Sequence, residues 1–241
     1  MGAHGMGRDT GGPGAADDGA PDPRTPLVLS YLTLRRAVGV IGMALPVILV
    51  VGAALLDGPG LQPSISDYYY TSMRNVLVGG LCAVAIFLFC YRYDRPDTVA
   101  GVVAGVSAVG AALFPTTRGG VPGGPVNAVG VVHLVCAATF FLTLAWFCLA
   151  LFPRTHPDRP PTDRKRQRNV VYRVCGVTIL LSVALAAVAA ALPDDGWVAA
   201  VHPVFWLEFL ADEAFGVAWF VKGETILTDR PAGRPHPAGA G

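Results

Sequence analysis

The sequence predicts an all-α, polytopic membrane helix bundle with six transmembrane helices and both termini cytoplasmic. Three observations predict it. Six apolar runs of 17–27 residues lie between polar or Pro/Gly-marked breaks, at 37–56, 75–91, 98–114, 126–152, 170–192 and 203–222. At about 1.5 Å of rise per residue, such runs match a hydrocarbon core of roughly 30 Å. Only 15% of the residues are charged and 53% are hydrophobic, whereas soluble domains carry about 25% charged residues. Finally, with the N-terminus inside, 16 of the 18 Lys and Arg residues fall on the cytoplasmic side and only Arg74 and Arg118 fall outside. That asymmetry sets orientation under the positive-inside rule. The expected location is the inner cell membrane, as a multi-pass protein in contact with membrane lipids.

The expected organisation is one transmembrane domain at 26–228 between disordered tails at 1–25 and 229–241. Both tails are rich in Gly, Pro and Asp and lack an apolar core that would offset the entropy of ordering. No cleavable signal peptide is evident.

The first span carries Pro46, which predicts a kink whose freed carbonyl neighbouring helices satisfy. The loop that follows, LDGPGLQPSISDYYYTSMR at 56–74, is too apolar and aromatic for an idle linker. Tyr68, Tyr69 and Tyr70 suit an interfacial aromatic belt or the mouth of a site. Ser64, Ser66, Asp67 and Arg74 add hydroxyl, carboxylate and guanidinium groups there, and Asp67 and Arg74 can pair with each other. The second and third spans meet in a charged turn containing Tyr91, Asp94 and Asp97, near which Lys222 ends the sixth span. Lys222 can pair with either aspartate or snorkel to headgroups. In the third span Gly101 and Gly105 form a G-x-x-x-G pair that Gly110 extends. This small face serves either internal packing or a homo-oligomer seam.

His133 lies in the fourth span, roughly 11 Å below its outer end. The basic loop at 154–173 holds seven cations, which act as the topology determinant or attract anionic headgroups. The last span, PVFWLEFLADEAFGVAWFVK, includes Glu208, Asp212 and Glu213, although each carboxylate costs several kcal/mol in hydrocarbon unless paired, protonated or hydrated. Pro203 suits a first helical turn, and His202 before it is biased away from helix. Counting from Pro203, Glu208 lies about 8 Å deep and Asp212 about 14 Å. Glu208 and Asp212 share a face, while Glu213 is rotated by about 100° from Asp212. The three acids therefore cannot share one small pocket.

His133 and Glu208 fall at similar depth, and the tyrosine-rich loop can close over them. The expectation is an outward-facing polar pocket between the fourth and sixth spans, with ligand-binding candidates Ser64, Ser66, Asp67, Tyr68, Tyr69, Tyr70, Arg74, His133, Glu208 and Asp212. A structural His–Glu hydrogen bond is the alternative. No metal or cofactor is expected: Cys82, Cys90, Cys136, Cys148 and Cys175 are scattered in apolar runs, and no metal, haem, nucleotide or serine-hydrolase motif is present. A net charge of +1 provides no footprint for nucleic acid. The leading function is binding or sensing of a small molecule or lipid. A proton-coupled transporter using Glu208 and His133 and an intramembrane enzyme acting on lipid headgroups are the alternatives; Ser66 is the nucleophile candidate for the latter, and no catalytic set is assigned.

The pieces QPSISDYYYT at 62–71, YRYDRPD at 91–97, FPTT at 114–117, FWLE at 205–208 and AFGVAWFVKGE at 214–224 resemble an uncharacterised prokaryotic family of six-helix integral membrane proteins. The resemblance covers 32–227. A more distant likeness, through the P-x-I-S turn after the first span, is to DRAM-like and FGF-receptor-activating membrane proteins. Ser64, Ser66, Tyr68, Tyr69, Tyr70, His133, Glu208, Gly216 and Lys222 match the family pattern, whereas Asp212 and Glu213 stand where that family has apolar residues. What the resemblance implies is topology; the family has no assigned activity.

Overall fold

The computed structural model describes residues 25–117, 127–154, 162–193 and 195–223, and all regular structure among them is helical. The helices are α1 (Thr25–Leu56), α2 (Arg74–Cys90), α3 (Arg95–Leu113), α4 (Ala128–Trp146), α5 (Asp163–Ala189), α6 (Gly196–Val201) and α7 (Pro203–Lys222). The expected tails lie outside the described residues, apart from Thr25, which opens α1.

Local chemistry sets the helix starts. The Asp94 carboxylate accepts the Asp97 N–H and Pro96 fills the first turn of α3, while Asn127 and Thr162 side chains accept from Val129 and Lys165 to start α4 and α5. These bonds satisfy donors that the first helical turn leaves without partners. His202 adopts a left-handed conformation (φ 52°), as a residue before proline is steered out of the α region, and it separates α6 from α7.

Several boundaries differ from the apolar runs: α3 starts at Arg95 rather than 98, and α5 at Asp163 rather than 170. α1 begins at Thr25, twelve residues before 37, and so takes in Arg35, which is buried, and Arg36, which is exposed. Their guanidinium groups donate to the Lys222 and Gly223 carbonyls at 3.4 and 3.1 Å, closing the C-terminus of α7. The fourth run ends in one wide helical turn, Phe147–Leu151, in which Phe152 N–H reaches back five residues to Phe147 O. That spacing brings Phe147 and Phe152 to the same side, where both are fully buried.

The long helices alternate in direction and close into a ring, α1–α2–α3–α4–α5–α7, with α7 returning to α1. Small residues permit the tightest approaches. A Cβ on Gly39 of α1 would lie 2.7 Å from Phe220 N and 2.9 Å from Gly216 O on α7. A Cβ on Gly101 would lie 2.7 Å from Leu88 O, and one on Gly105 would strike the Phe89 ring. The G-x-x-x-G face of α3 therefore packs inside the bundle against α2.

The outer face of the ring is apolar. Val47, Ile48, Val51, Val102, Val106, Leu134, Val174 and Leu181 are all exposed. Four helical segments are long and apolar enough to cross a membrane: Leu32–Leu56, Arg95–Leu113, Ala128–Leu151 and Asp163–Ala189. α2 is shorter at 17 residues, and α7 has 20 but carries three carboxylates and Lys222.

The two ends of the ring differ. At the end bearing Arg35, Lys165 and Lys222, Tyr91, Phe147, Phe152, Phe215 and Trp219 fill the interior, with neighbouring ring centroids 4.9–6.1 Å apart. At the opposite end the loop between α1 and α2 folds inward.

Candidate functional site

The inward-folded loop is built by short-range hydrogen bonds. Ser64 Oγ donates to the Asp67 carboxylate at 2.8 Å and accepts the Asp67 N–H at 3.1 Å, which starts a single 3-10 turn, Ser66–Tyr70. Asp57 accepts from both Ser72 N–H and Ser72 Oγ, closing the base of the loop. Tyr68 is fully buried beside Phe205, so it is core rather than interfacial belt. Burial raises its phenol above the ordinary tyrosine range. Tyr70 OH donates to Thr116 O. Arg74 donates to Tyr69 OH and stacks on its ring, 4.2 Å from the centroid, while Asp67 is engaged by Ser64.

α7 holds the loop from the other side. Phe205 N–H donates to Pro63 O at 3.0 Å. Glu208 Oε2 accepts two main-chain amides, Ile65 N–H at 2.7 Å and Ser66 N–H at 3.3 Å.

His133 completes the arrangement from α4. Its Nδ1 faces the Phe114 and Ala111 carbonyls, at 2.7 and 3.1 Å, and its Nε2 lies 3.0 Å from Ser66 Oγ. A carbonyl can only accept, so the proton sits on Nδ1, and in the neutral imidazole Nε2 accepts from the Ser66 hydroxyl. Ser66 thus stands between the two groups: its hydroxyl meets His133 and its amide meets Glu208. Neither a direct His133–Glu208 hydrogen bond nor a simple α4–α7 pocket is present among the described residues; the loop intervenes.

These groups border a partly open cavity of about 60 Å³ within the ring. Ser66, Tyr69, His133, Glu208 and Asp212 line it, and the remaining wall is apolar, including Leu45, Leu77, Leu81, Phe140, Phe141 and Phe215. That volume exceeds the ~10–15 Å³ that a single water needs, and takes a few waters or a small ligand group. Asp212 makes no hydrogen bond or ion pair with a described residue. Glu213 does not line the cavity, consistent with its different helical face. Ser64, Asp67, Tyr68, Tyr70 and Arg74 shape the loop but do not reach the cavity wall.

At the opposite end, Lys222 Nζ sits 5.1 Å from the Phe152 ring centre. Asp94 and Asp97 meet Arg154, at 3.1 and 3.7 Å, and Asp97 also lies close enough to Lys222 for their charges to attract. Among the described residues, no group of three or more His, Cys, Asp or Glu converges as a metal site, and all five cysteines are free thiols.

The contributions that sequence reasoning missed are mainly main-chain ones: the Ile65 and Ser66 amides and the Ala111 and Phe114 carbonyls. Backbone groups exist at every position and leave no residue-type signal, although the P-x-I-S turn and the FPTT segment mark where they occur. Comparison with known proteins adds no further assignment, since no family model, curated protein or solved structure matches this chain.

Proposed function

We propose that this chain is a six-span protein of the inner membrane that binds a small neutral or cationic amphipath in its cavity. Both termini and the basic end of the ring face the cytoplasm, and the loop end faces outward. The charge asymmetry of 16 cations to 2 supports this orientation. The places of α2 and α7 in the closed ring support six spans.

The observation that carries the reading is the cavity itself. It combines a largely apolar wall with Ser66, His133, Glu208 and Asp212. The apolar wall takes a short chain, and the polar groups take its head. The lining holds no Lys or Arg to pair with an anionic head, and its two acidic side chains can hydrogen-bond a hydroxyl, ester or ammonium group. Entry requires the loop to move, and the bonds that α7 makes to it at Glu208 and Phe205 are the latch.

The aromatic packing at the basic end favours a dead-end pocket over a transport path, because it fills the interior below the cavity. Thermal-shift titration of the purified protein with three short-chain probes, sized to so small a cavity, tests the proposal. A monoacylglycerol and an alkylamine should raise Tm, and a fatty acid of equal chain length should not. Stabilisation by the fatty acid alone, or by none of the three, contradicts it.

A further inference from the structure

We infer that Ser66 is an acyl-accepting nucleophile, with His133 as its general base, acting on a carboxylic ester of a neutral amphipath. This rests on the pocket proposed above and assigns chemistry to it. Three features meet at one residue. The Ser66 hydroxyl donates to His133 Nε2 at 3.0 Å, within the reach needed for proton transfer. The other imidazole nitrogen is fixed by the Phe114 and Ala111 carbonyls, so the ring presents its basic nitrogen to the serine. The third feature is the pair of amides on Ile65 and Ser66, which converge on one oxygen of Glu208 at 2.7 and 3.3 Å.

That Glu208 oxygen stands in for the oxyanion of a tetrahedral intermediate. It accepts two main-chain amide donors, one of them the nucleophile's own, which is the arrangement of donors that such a site uses. Ser66 is only partly buried and lines the cavity, so an ester carbonyl has a route to it. Glu208 must leave the amides before a substrate oxygen can enter. The same contact that closes the loop therefore also holds the site idle.

The step balances without an oxidant or reductant. Ser66 Oγ attacks the ester carbonyl carbon as its proton passes to His133 Nε2. The bond to the alcohol oxygen breaks, and the alcohol leaves with that proton, so the acyl group remains on Ser66. Water then gives a proton to Nε2 and attacks the acyl carbon, the bond to Oγ breaks, and Oγ recovers the proton as the carboxylic acid departs.

Labelling of the purified full chain with an alkyl fluorophosphonate, followed by peptide mass spectrometry, tests the assignment. The expected result is an adduct on Ser66, absent in Ser66→Ala and reduced roughly tenfold or more in His133→Gln. Glu208→Ala, or Glu208→Ser if the first folds poorly, should increase labelling by freeing the two amides. Mapping the adduct to Ser66 in wild type supports the proposal whatever the variants' stability. No adduct in wild type or in any folded Glu208 variant, or an adduct on another residue, overturns it. If the neutral and cationic probes still raise Tm in that case, the pocket stands and only the chemistry fails.

Discussion

Ser66 connects three segments distant in sequence through two of its own groups, the hydroxyl toward His133 and the amide toward Glu208. Removing Glu208 leaves the Ile65 and Ser66 amides without an acceptor, a loss of about 1–3 kcal/mol for buried donors. Glu208→Ala should therefore speed hydrogen exchange across 62–71, while Glu208→Gln, which retains an acceptor oxygen, should stay near wild type. Equal exchange in the two variants would show that the amides do not depend on Glu208. The residues that form this junction were legible in the sequence because a serine, a histidine and a glutamate stand out in apolar surroundings. Their partnership was not legible, since main-chain donors and carbonyls make half of it. The tyrosines misled for a related reason: an aromatic near a span end has the same composition whether it faces lipid or core, and only packing against Phe205 distinguishes Tyr68.

Between helices, the small residues govern how closely the ring can close. An added Cβ at Gly101 meets the backbone oxygen of Leu88, which cannot move without shifting α2, whereas Gly79 on the same hairpin has open space around it. Gly101→Ala should destabilise by about 1–3 kcal/mol. Gly79→Ala should be neutral or stabilise by roughly 0.5–1 kcal/mol through helix propensity. Denaturation in mild detergent checks the pair, and equal effects would argue against the tight α2–α3 approach. Gly105→Leu should likewise destabilise more than Glu208→Leu, since Leu at 105 must displace the Phe89 ring inside the helix pair.

A small acid-side effect belongs to the α2–α3 turn. The Asp94 carboxyl is held below the usual carboxylate range by its hydrogen bonds with the Asp97 carboxyl and amide, and further by Arg154. Because the shift is downward, the stabilisation is present at neutral pH and is lost as pH falls through the lowered value. Asp94 is exposed, so Asp94→Asn should flatten only a minor part of the acid decline in Tm. The helix spans themselves were legible from hydropathy, yet their true starts were not. Arg35 and Arg36 read as flanking charges, but they lie within α1, where α7 offers them carbonyls.

At the scale of the whole molecule, a ring filled with aromatic side chains at one end and hollow at the other is asymmetric along its axis. Sequence reveals six apolar segments, but not that α7 closes against both α1 and α5. Nor does it reveal that five of the six long helices border the cavity while α5 does not. Orientation can be read by membrane-impermeant thiol labelling in a cysteine-free background. Gly58→Cys should react from outside and Tyr93→Cys only after permeabilisation; the reverse pattern would invert the proposed topology. Native mass spectrometry of the purified full chain and of Ala137→Phe, which fills the cavity from α4, tests the pocket most directly. Wild type should retain a neutral or cationic amphipath that the equally folded Ala137→Phe protein lacks. Equal retention by both proteins, or a wild type that carries only anionic lipid, would contradict it.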